Sequence, residues 1–455
     1  MTEGTKALAR VEHNGIRIDL DYLTKAKAGL KDRIAAKSAE LKDDDFWFRW
    51  RKRFGQKASL GSLSQLAEIV FGEMKYPVKE RTATGRPKAD EAAFEHVDLP
   101  FVREYRKLCK LEKAHGTYLT GIEREVVGEF LHPVFSLNTV KTYRSSSQAP
   151  NFQNMPIRNP MMGELIRRCF IPRKGRRLVE TDYAGIEVRV AACYHRDPVM
   201  VKYIEDKTTD MHRDMAAQIY LIKPEEVSKA ARHAAKNMFV FPQFYGSYYL
   251  ECAKALWAEI DRREMRLVVP GDSTPGELLK DHLRKKGITK LGRCSMEHKP
   301  VPGTFEHHVQ QVEKDFWGRR FRVYDQWKRG WYSDYQDSGY FDTFTGFRYE
   351  GPFRKNEVIN YPVQGCAFHC LLWSLIEIQK ELRKRKMKTL IVGQIHDSIL
   401  ADVVDSEMED YLKLTKRIMV HDLAKHWKWL TVPLEIEVDA TPIDKSWFEK
   451  KVVAA

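Results

Sequence analysis

The chain has 455 residues, 43% of them hydrophobic and 31% charged, with a formal net charge of +14. That length asks for two or three packed subdomains, and the balance is that of a soluble globular protein; no apolar run reaches a membrane span and no low-complexity tract is present. The cationic excess points to a polyanionic partner, because lysine and arginine that displace counterions from phosphates gain binding free energy.

The N-terminal MTEGTKALARVEHNG lacks the apolar core of a signal peptide. Seven cysteines form no CxxC pair, and Cys366 and Cys370 have no second Cys/His pair at zinc spacing, so reduced thiols in a cytoplasmic protein are expected (host cytoplasm for a viral source). Residues 20–118 interleave charged and apolar positions as helices do, interrupted by the loop-like KYPVKERTATGRPKAD. RRLVETDYAGIEVRVAAC then reads as a strand turning into a helix. A helix is predicted from Glu225 to Phe239, ended by Pro242. Residues 261–306 are charged and broken by proline and glycine, and read as an insertion rather than core. From Lys388 to Val404 apolar and small residues flank a central turn, the pattern of a β-hairpin with His396 and Asp397 at its bend. The fold class is therefore α+β, with two carboxylate-bearing β-segments separated by a large helical insertion.

Asp182 closes an apolar strand and Asp397 sits in the hairpin. Either alone reads more readily as a hairpin or N-cap aspartate than as a metal ligand. Together they are costly to leave unpaired, and two Mg2+ ions, with Mn2+ able to substitute, suit such hard oxygen ligands. Between them, Arg232 and Lys236 lie four apart on one helical face. With His212 upstream they offer three donors for a triphosphate, and FVFPQFYG adds aromatic rings that could stack on a base.

These segments carry a resemblance to family A (DNA polymerase I-type) DNA polymerases. TDYAGIEVR resembles motif A (DYSQIELR), RHAAKNMFVFPQFYG resembles motif B (RRxAKxxNFGxxYG), and QIHDS resembles motif C (QVHDE). TYRSSSQAPNFQNMPIR, DMH, INYPVQG and VPLEIEV match further family segments in the family's order, and the likeness spans nearly the whole chain. It implies a right-hand fold of palm, fingers and thumb, with residues 1–20 a lead-in and 21–130 the thumb. The palm would comprise 131–197 and 339–455, and the fingers 198–338. The implied function is DNA-templated extension of a primer 3′-OH with dNTPs, releasing pyrophosphate.

The resemblance also assigns residues. Asp182 and Asp397 would ligate both metals, with the Tyr183 carbonyl as a further ligand. Arg232 and His212 would hold the outer phosphates, and Lys236 the inner ones, protonating pyrophosphate as it leaves. Glu187 would exclude a ribose 2′-OH, with Tyr245 as its hydrogen-bonding neighbour. Arg144 and Gln364 would read minor-groove acceptors at the primer terminus, Gln394 and His396 would touch the primer end, and Asn360 would line the template side.

Three departures qualify it. Lys236 to Tyr245 takes nine steps where the family takes eight, so the helix should bulge or break near Pro242. The stacking aromatic must then be Phe239 or Phe241, with Phe241 favoured, and a phenylalanine there goes with discrimination against dideoxynucleotides. Ser398 replaces the motif C glutamate, and HDS is the form of single-subunit phage-type RNA polymerases, the main rival; a two-metal nuclease or a non-catalytic DNA-binding protein are others. Glu187, PNFQNMP and NYPVQG favour a DNA product. No DxE exonuclease motif precedes these segments, so neither proofreading nor 5′-nuclease action is expected of this chain. FVFPQFYGSYY and the insertion are more like bacteriophage enzymes. The expected partners are primer-template DNA and dNTPs, with a separate exonuclease or processivity factor, no membrane, and a monomeric state.

Overall fold

From Arg176 to Tyr183 the side chains alternate: Val179, Thr181 and Tyr183 are buried, while Glu180 and Asp182 are half-buried on the opposite face. Period-two alternation of this kind gives a strand one apolar face and one polar face. In the computed structural model, which describes residues 2–78, 81–82, 84–157, 159–271, 274, 276–289, 291 and 300–453, this strand is the centre of an antiparallel sheet. We number its strands β1 (Arg176–Tyr183), β2 (Leu390–Ile395), β3 (Ser398–Val404), β4 (Ile436–Ala440) and β5 (Lys451–Val453). The order is β2-β3-β1-β4-β5. The register places Ser398 of β3 and Glu437 of β4 on either side of Asp182.

Helices cover the back of the sheet. Tyr183 is anchored there, its hydroxyl hydrogen-bonded with Ser374 Oγ at 2.8 Å and donating to the Met419 carbonyl at 2.9 Å. Ser374 lies on the long helix Lys355–Lys384, whose buried residues continue the main core. The helix Thr2–Asn14 belongs to the same body: Gln379 Nε2 donates to the Ala7 carbonyl at 3.0 Å, and Asn14 Nδ2 to that of Ile391 at 2.9 Å. Gly393 lies where β2 slips register, and a Cβ there would come within 2.5 Å of the Phe152 ring, so only glycine lets the PNFQNMP segment pack onto the sheet.

Helices Leu20–Lys42 and Pro100–Lys113 run together to a second core, in which Trp50, Leu66, Val70, Phe94 and Tyr105 are buried apart from the main one. The segment expected to be the thumb thus has its own folded tip. Its expected boundary at residue 130 cuts the strand Phe130–Leu131, which pairs with Ile16–Ile18 in a small four-stranded sheet.

Two expectations are corrected. The helix predicted from Glu225 begins at Lys229, after Ser228 Oγ caps the Ala231 N–H, and it continues past Pro242 to Phe244. Proline does not end it because a π-turn over Lys236–Val240 widens the preceding turn, with the Phe241 N–H reaching back to the Lys236 carbonyl. The stretch 261–306 is not merely an exposed insertion: Met265, Leu279, Leu283 and Ile288 are buried in the main core. Leu279 and Leu283 stand one helical turn apart, a spacing that buries one side of even a charged helix. Residues 272–273, 275, 290 and 292–299 of that stretch lie outside the described residues.

Candidate active site

The TDYAG turn fixes the first carboxylate. Gly185 adopts φ 62°, the left-handed conformation that lets a strand turn directly into the helix Ile186–His195. Arg189 on that helix then locks the turn, donating to the carbonyls of Ala184 and Pro433 and pairing with Glu435 at 2.8 Å. The second carboxylate sits in the bend between β2 and β3, where His396 has φ 48° and the Tyr183 N–H donates to the Asp397 carbonyl at 3.2 Å. Asp182 and Asp397 are thereby brought together at one end of the sheet.

Their electrostatics are unfavourable as they stand. Burial pushes the Asp182 carboxyl up to about 7, with the charges of Asp397, Glu180 and Glu437 adding to it. Burial also raises Asp397, against the pull of Arg144 and His396. Asp397 Oδ1 is buried with no hydrogen-bond partner, which is costly for a carboxylate. A cation beside it would satisfy that oxygen and restore both charges, so the residues fit a divalent metal. Among the described residues no three His, Cys, Asp or Glu side chains form a ready-made cage. The remaining ligands would come from main-chain carbonyl, water or phosphate, as Mg2+ accepts.

The cleft beside the aspartates has a volume of about 170 Å³ and is lined by Glu187, Phe241, Tyr245, Tyr324, Asn360 and Asp397, among others. Glu187 accepts hydrogen bonds from Arg144 and from the Tyr245 hydroxyl. Asn360 donates to the Tyr245 carbonyl at 3.3 Å. The π-turn sends the two phenylalanines to different surroundings. Phe239 is buried, edge-on to Phe316 at 5.4 Å, whereas Phe241 lines the cleft. Lys236 Nζ lies 5.2 Å from the Phe241 ring centroid, and His212 stands edge-on to that ring at 5.7 Å. Burial, then the charges of Lys236 and Arg232, push His212 down to about 4, so at neutral pH it is an uncharged donor or acceptor. Arg232 pairs with Asp210 at 2.6 Å, and Asp210 caps the helix that carries His212.

Not every expected residue faces the cleft. Gln394 is 1% exposed. Its oxygen accepts from Ser145 Oγ at 2.6 Å and from Gln153 Nε2 at 2.7 Å, while its nitrogen donates to the His396 carbonyl at 2.8 Å. In this conformation Gln394 braces the bend that carries Asp397 instead of facing the cleft, whereas His396 is exposed and Gln364 half-buried.

Two features escape the sequence reading. Glu180 shares the polar face of β1 with Asp182, a placement the i, i+2 spacing already contains. Gln243, 1% exposed, donates to Glu313 at 2.6 Å and accepts from the Trp317 indole at 2.8 Å, tying the bulged helix to a neighbouring one. Gln243→Leu would remove the acceptor of the half-buried Trp317 indole and leave the half-buried Glu313 with the Tyr249 N–H alone. It should lower stability by about 2–3 kcal/mol, and an unchanged urea midpoint would show that this bridge carries no weight.

A family model described as DNA polymerase family A matches residues 28–267 and 343–449. The chain belongs to DNA polymerase family A. Among its relatives, DNA polymerase I of Lactococcus lactis subsp. cremoris is 26% identical over 98% of this chain and 45% of that protein. The thermostable DNA polymerase I of Thermus thermophilus is 25% identical over 98% of this chain and 47% of its own length. This family A chain thus spans about half the length of the curated relatives it matches. A solved structure of the POL domain of Pol1 from M. smegmatis, in complex with DNA primer-template and dNTP, superposes with a TM-score of 0.75 at 22% identity, covering 98% of this chain and 70% of that one. The fold is accordingly the α+β right-hand polymerase fold of palm, fingers and thumb. Glu313 and Trp317, the supports of Gln243, lie between the two matched ranges. Among the described residues no helix is long and apolar enough to cross a membrane.

Proposed function

We propose that this chain is a template-directed DNA polymerase that extends a primer 3′-OH with dNTPs. The carrying observation is the pair Asp182 and Asp397, mutually repelling and with a buried oxygen unpartnered, next to a cleft walled by Glu187, Tyr245 and the Lys236 helix. In the reaction a bond forms from the primer 3′-oxygen to the α-phosphorus and the bond to pyrophosphate breaks. Asp182, Asp397 and the Tyr183 carbonyl would hold two Mg2+ ions, which supply Lewis acidity to the attacking and leaving oxygens.

The chain's own groups do the rest. Arg232, Lys236 and His212 bind the triphosphate, and Lys236 hands a proton to the departing pyrophosphate. Arg144 and Gln364 check the primer-terminal pair through minor-groove acceptors common to all correct pairs, His396 meets the primer end, and Asn360 lines the template side. Arg144 is paired with Glu187 through Nη2 in this structure, and the other N–H donors of its guanidinium can meet those acceptors while the pair stays in place. The thumb, roughly 21–130, grips the duplex, the fingers, 198–338, close on the nucleotide, and the palm, 131–197 with 339–455, carries the metals.

Phe241 stacks on the incoming base. With no hydroxyl on that ring to replace a missing 3′-OH, wild type should prefer dNTPs to ddNTPs, and Phe241→Tyr should narrow the preference by roughly tenfold, the worth of one hydrogen bond to a charged neighbour. Equal use of both by wild type would remove Phe241 from this role. The proposed activity is synthesis alone: EDTA-sensitive degradation of an end-labelled single strand that persists in Asp182→Asn would contradict it. Extension of a labelled primer with each dNTP and rNTP in turn tests the whole reading. Growth only with the templated dNTP supports it, and growth only with rNTPs assigns the RNA polymerase activity that HDS suggests.

A further inference from the structure

Glu180 is a charged side chain only 13% exposed, two residues from Asp182 and on the same face of β1. Ser398, directly across from Asp182 on β3, has its hydroxyl 3.3 Å from Glu180 Oε1 and 3.0 Å from the Ile395 carbonyl, two acceptors that share its one proton. The other oxygen accepts from the Trp447 indole at 2.9 Å and from Lys450 Nζ at 2.7 Å. Lys450 does not require it, since Asp439 already neutralises that ammonium at 2.8 Å. Glu180 and Asp182 share one face of β1, so a carboxylate at 180 places a further negative charge on the face that carries Asp182, which a purely structural hydrogen-bond acceptor, such as glutamine, would not.

Ser398 stands where the motif C pattern QVHDE carries its glutamate. The missing acid and Glu180 are diagonal neighbours on adjacent strands, within reach of one another by the measured Ser398–Glu180 hydrogen bond. We propose that Glu180 is the third carboxylate of the Asp182/Asp397 centre, transferred from β3 to β1, and that it tightens cation binding from outside the inner ligands. This rests on the two-metal reading above. Ser398, Trp447 and Lys450 hold the Glu180 carboxylate in one orientation, from which it orders water on the bound cations and adds negative potential without touching substrate. It is a positioning residue, and outer partners of this sort are worth about ten- to a hundredfold in metal affinity.

The test is a Mn2+ titration of the full chain, followed by electron paramagnetic resonance of the free ion, with thermal melting in EDTA as the check on folding. Glu180→Gln should weaken the Mn2+ Kd about tenfold while melting as wild type does. The exchange Glu180→Ser with Ser398→Glu, which preserves the cross-strand hydrogen bond with its carboxylate on the other strand, should return the Kd to wild type. Asp397→Asn, as control, should lose the site. Wild-type affinity in Glu180→Gln alongside loss in Asp397→Asn overturns the role of Glu180 and leaves the two-metal reading intact. Wild-type affinity in Asp397→Asn overturns that reading itself. Should Glu180→Gln not fold, Glu180→Ser decides together with the exchange: weakened affinity in the single variant that the exchange restores upholds the proposal, and equal affinity in the two rejects it.

Discussion

Asp397→Asn should lower primer extension by about three orders of magnitude or more, as expected when charge is removed from the point where a transition state needs it. The substitution is isosteric, so the Tyr183 N–H still reaches the residue 397 carbonyl and the bend keeps its shape. What changes is charge. In wild type the two aspartates repel across the turn, and Asp397 Oδ1 is buried without a partner; asparagine removes that repulsion. In EDTA the variant should therefore melt no lower than wild type. Adding Mg2+ should raise the melting temperature of wild type, because a ligand that binds only the folded state stabilises it, and should leave the variant unmoved. Loss of activity together with a lower melting point in EDTA would instead mean that Asp397 is structural. Retention of activity would remove it from the metal site altogether.

The parts of this site carried by local pattern were legible in the sequence. The hairpin around Asp397 announces itself by alternation about a bend, and TDYAG by apolar strand residues running into a glycine. The extra residue between Lys236 and Tyr245 foretold a bulge, and the π-turn absorbs it. What local pattern could not convey was the consequence of that bulge for Pro242: read alone a proline ends a helix, but a widened turn has already released the carbonyl it would strike. Gln394 shows a different limit. A glutamine beside the catalytic bend reads as a ligand contact, yet it is buried because Ser145 and Gln153, more than two hundred residues earlier, supply its hydrogen bonds. Glu180 was legible too, since the alternation that turns Asp182 to the polar face of β1 turns it there as well.

Glu187→Ala should admit ribonucleotides, raising the rNTP-to-dNTP incorporation ratio by about a hundredfold if the side chain excludes a 2′-OH by occupying its place. The position suits exclusion because the carboxylate is held from two sides, by the Arg144 guanidinium and the Tyr245 hydroxyl, and lines the cleft near Asp397. A glutamate free to swing would block little. Alanine also releases Arg144 and Tyr245, so a loss of dNTP efficiency is expected alongside, and the ratio, not the rate, is the informative quantity. Two further substitutions separate bulk from charge and from rigidity. Glu187→Gln keeps the volume and should keep most of the discrimination. Tyr245→Phe removes one of the two restraints and should give a ratio between wild type and Glu187→Ala. A glutamine variant as permissive as alanine would make the exclusion electrostatic. An alanine variant as strict as wild type would move the discriminating group elsewhere in the cleft, with Phe241 and Tyr245 as the side chains left to test.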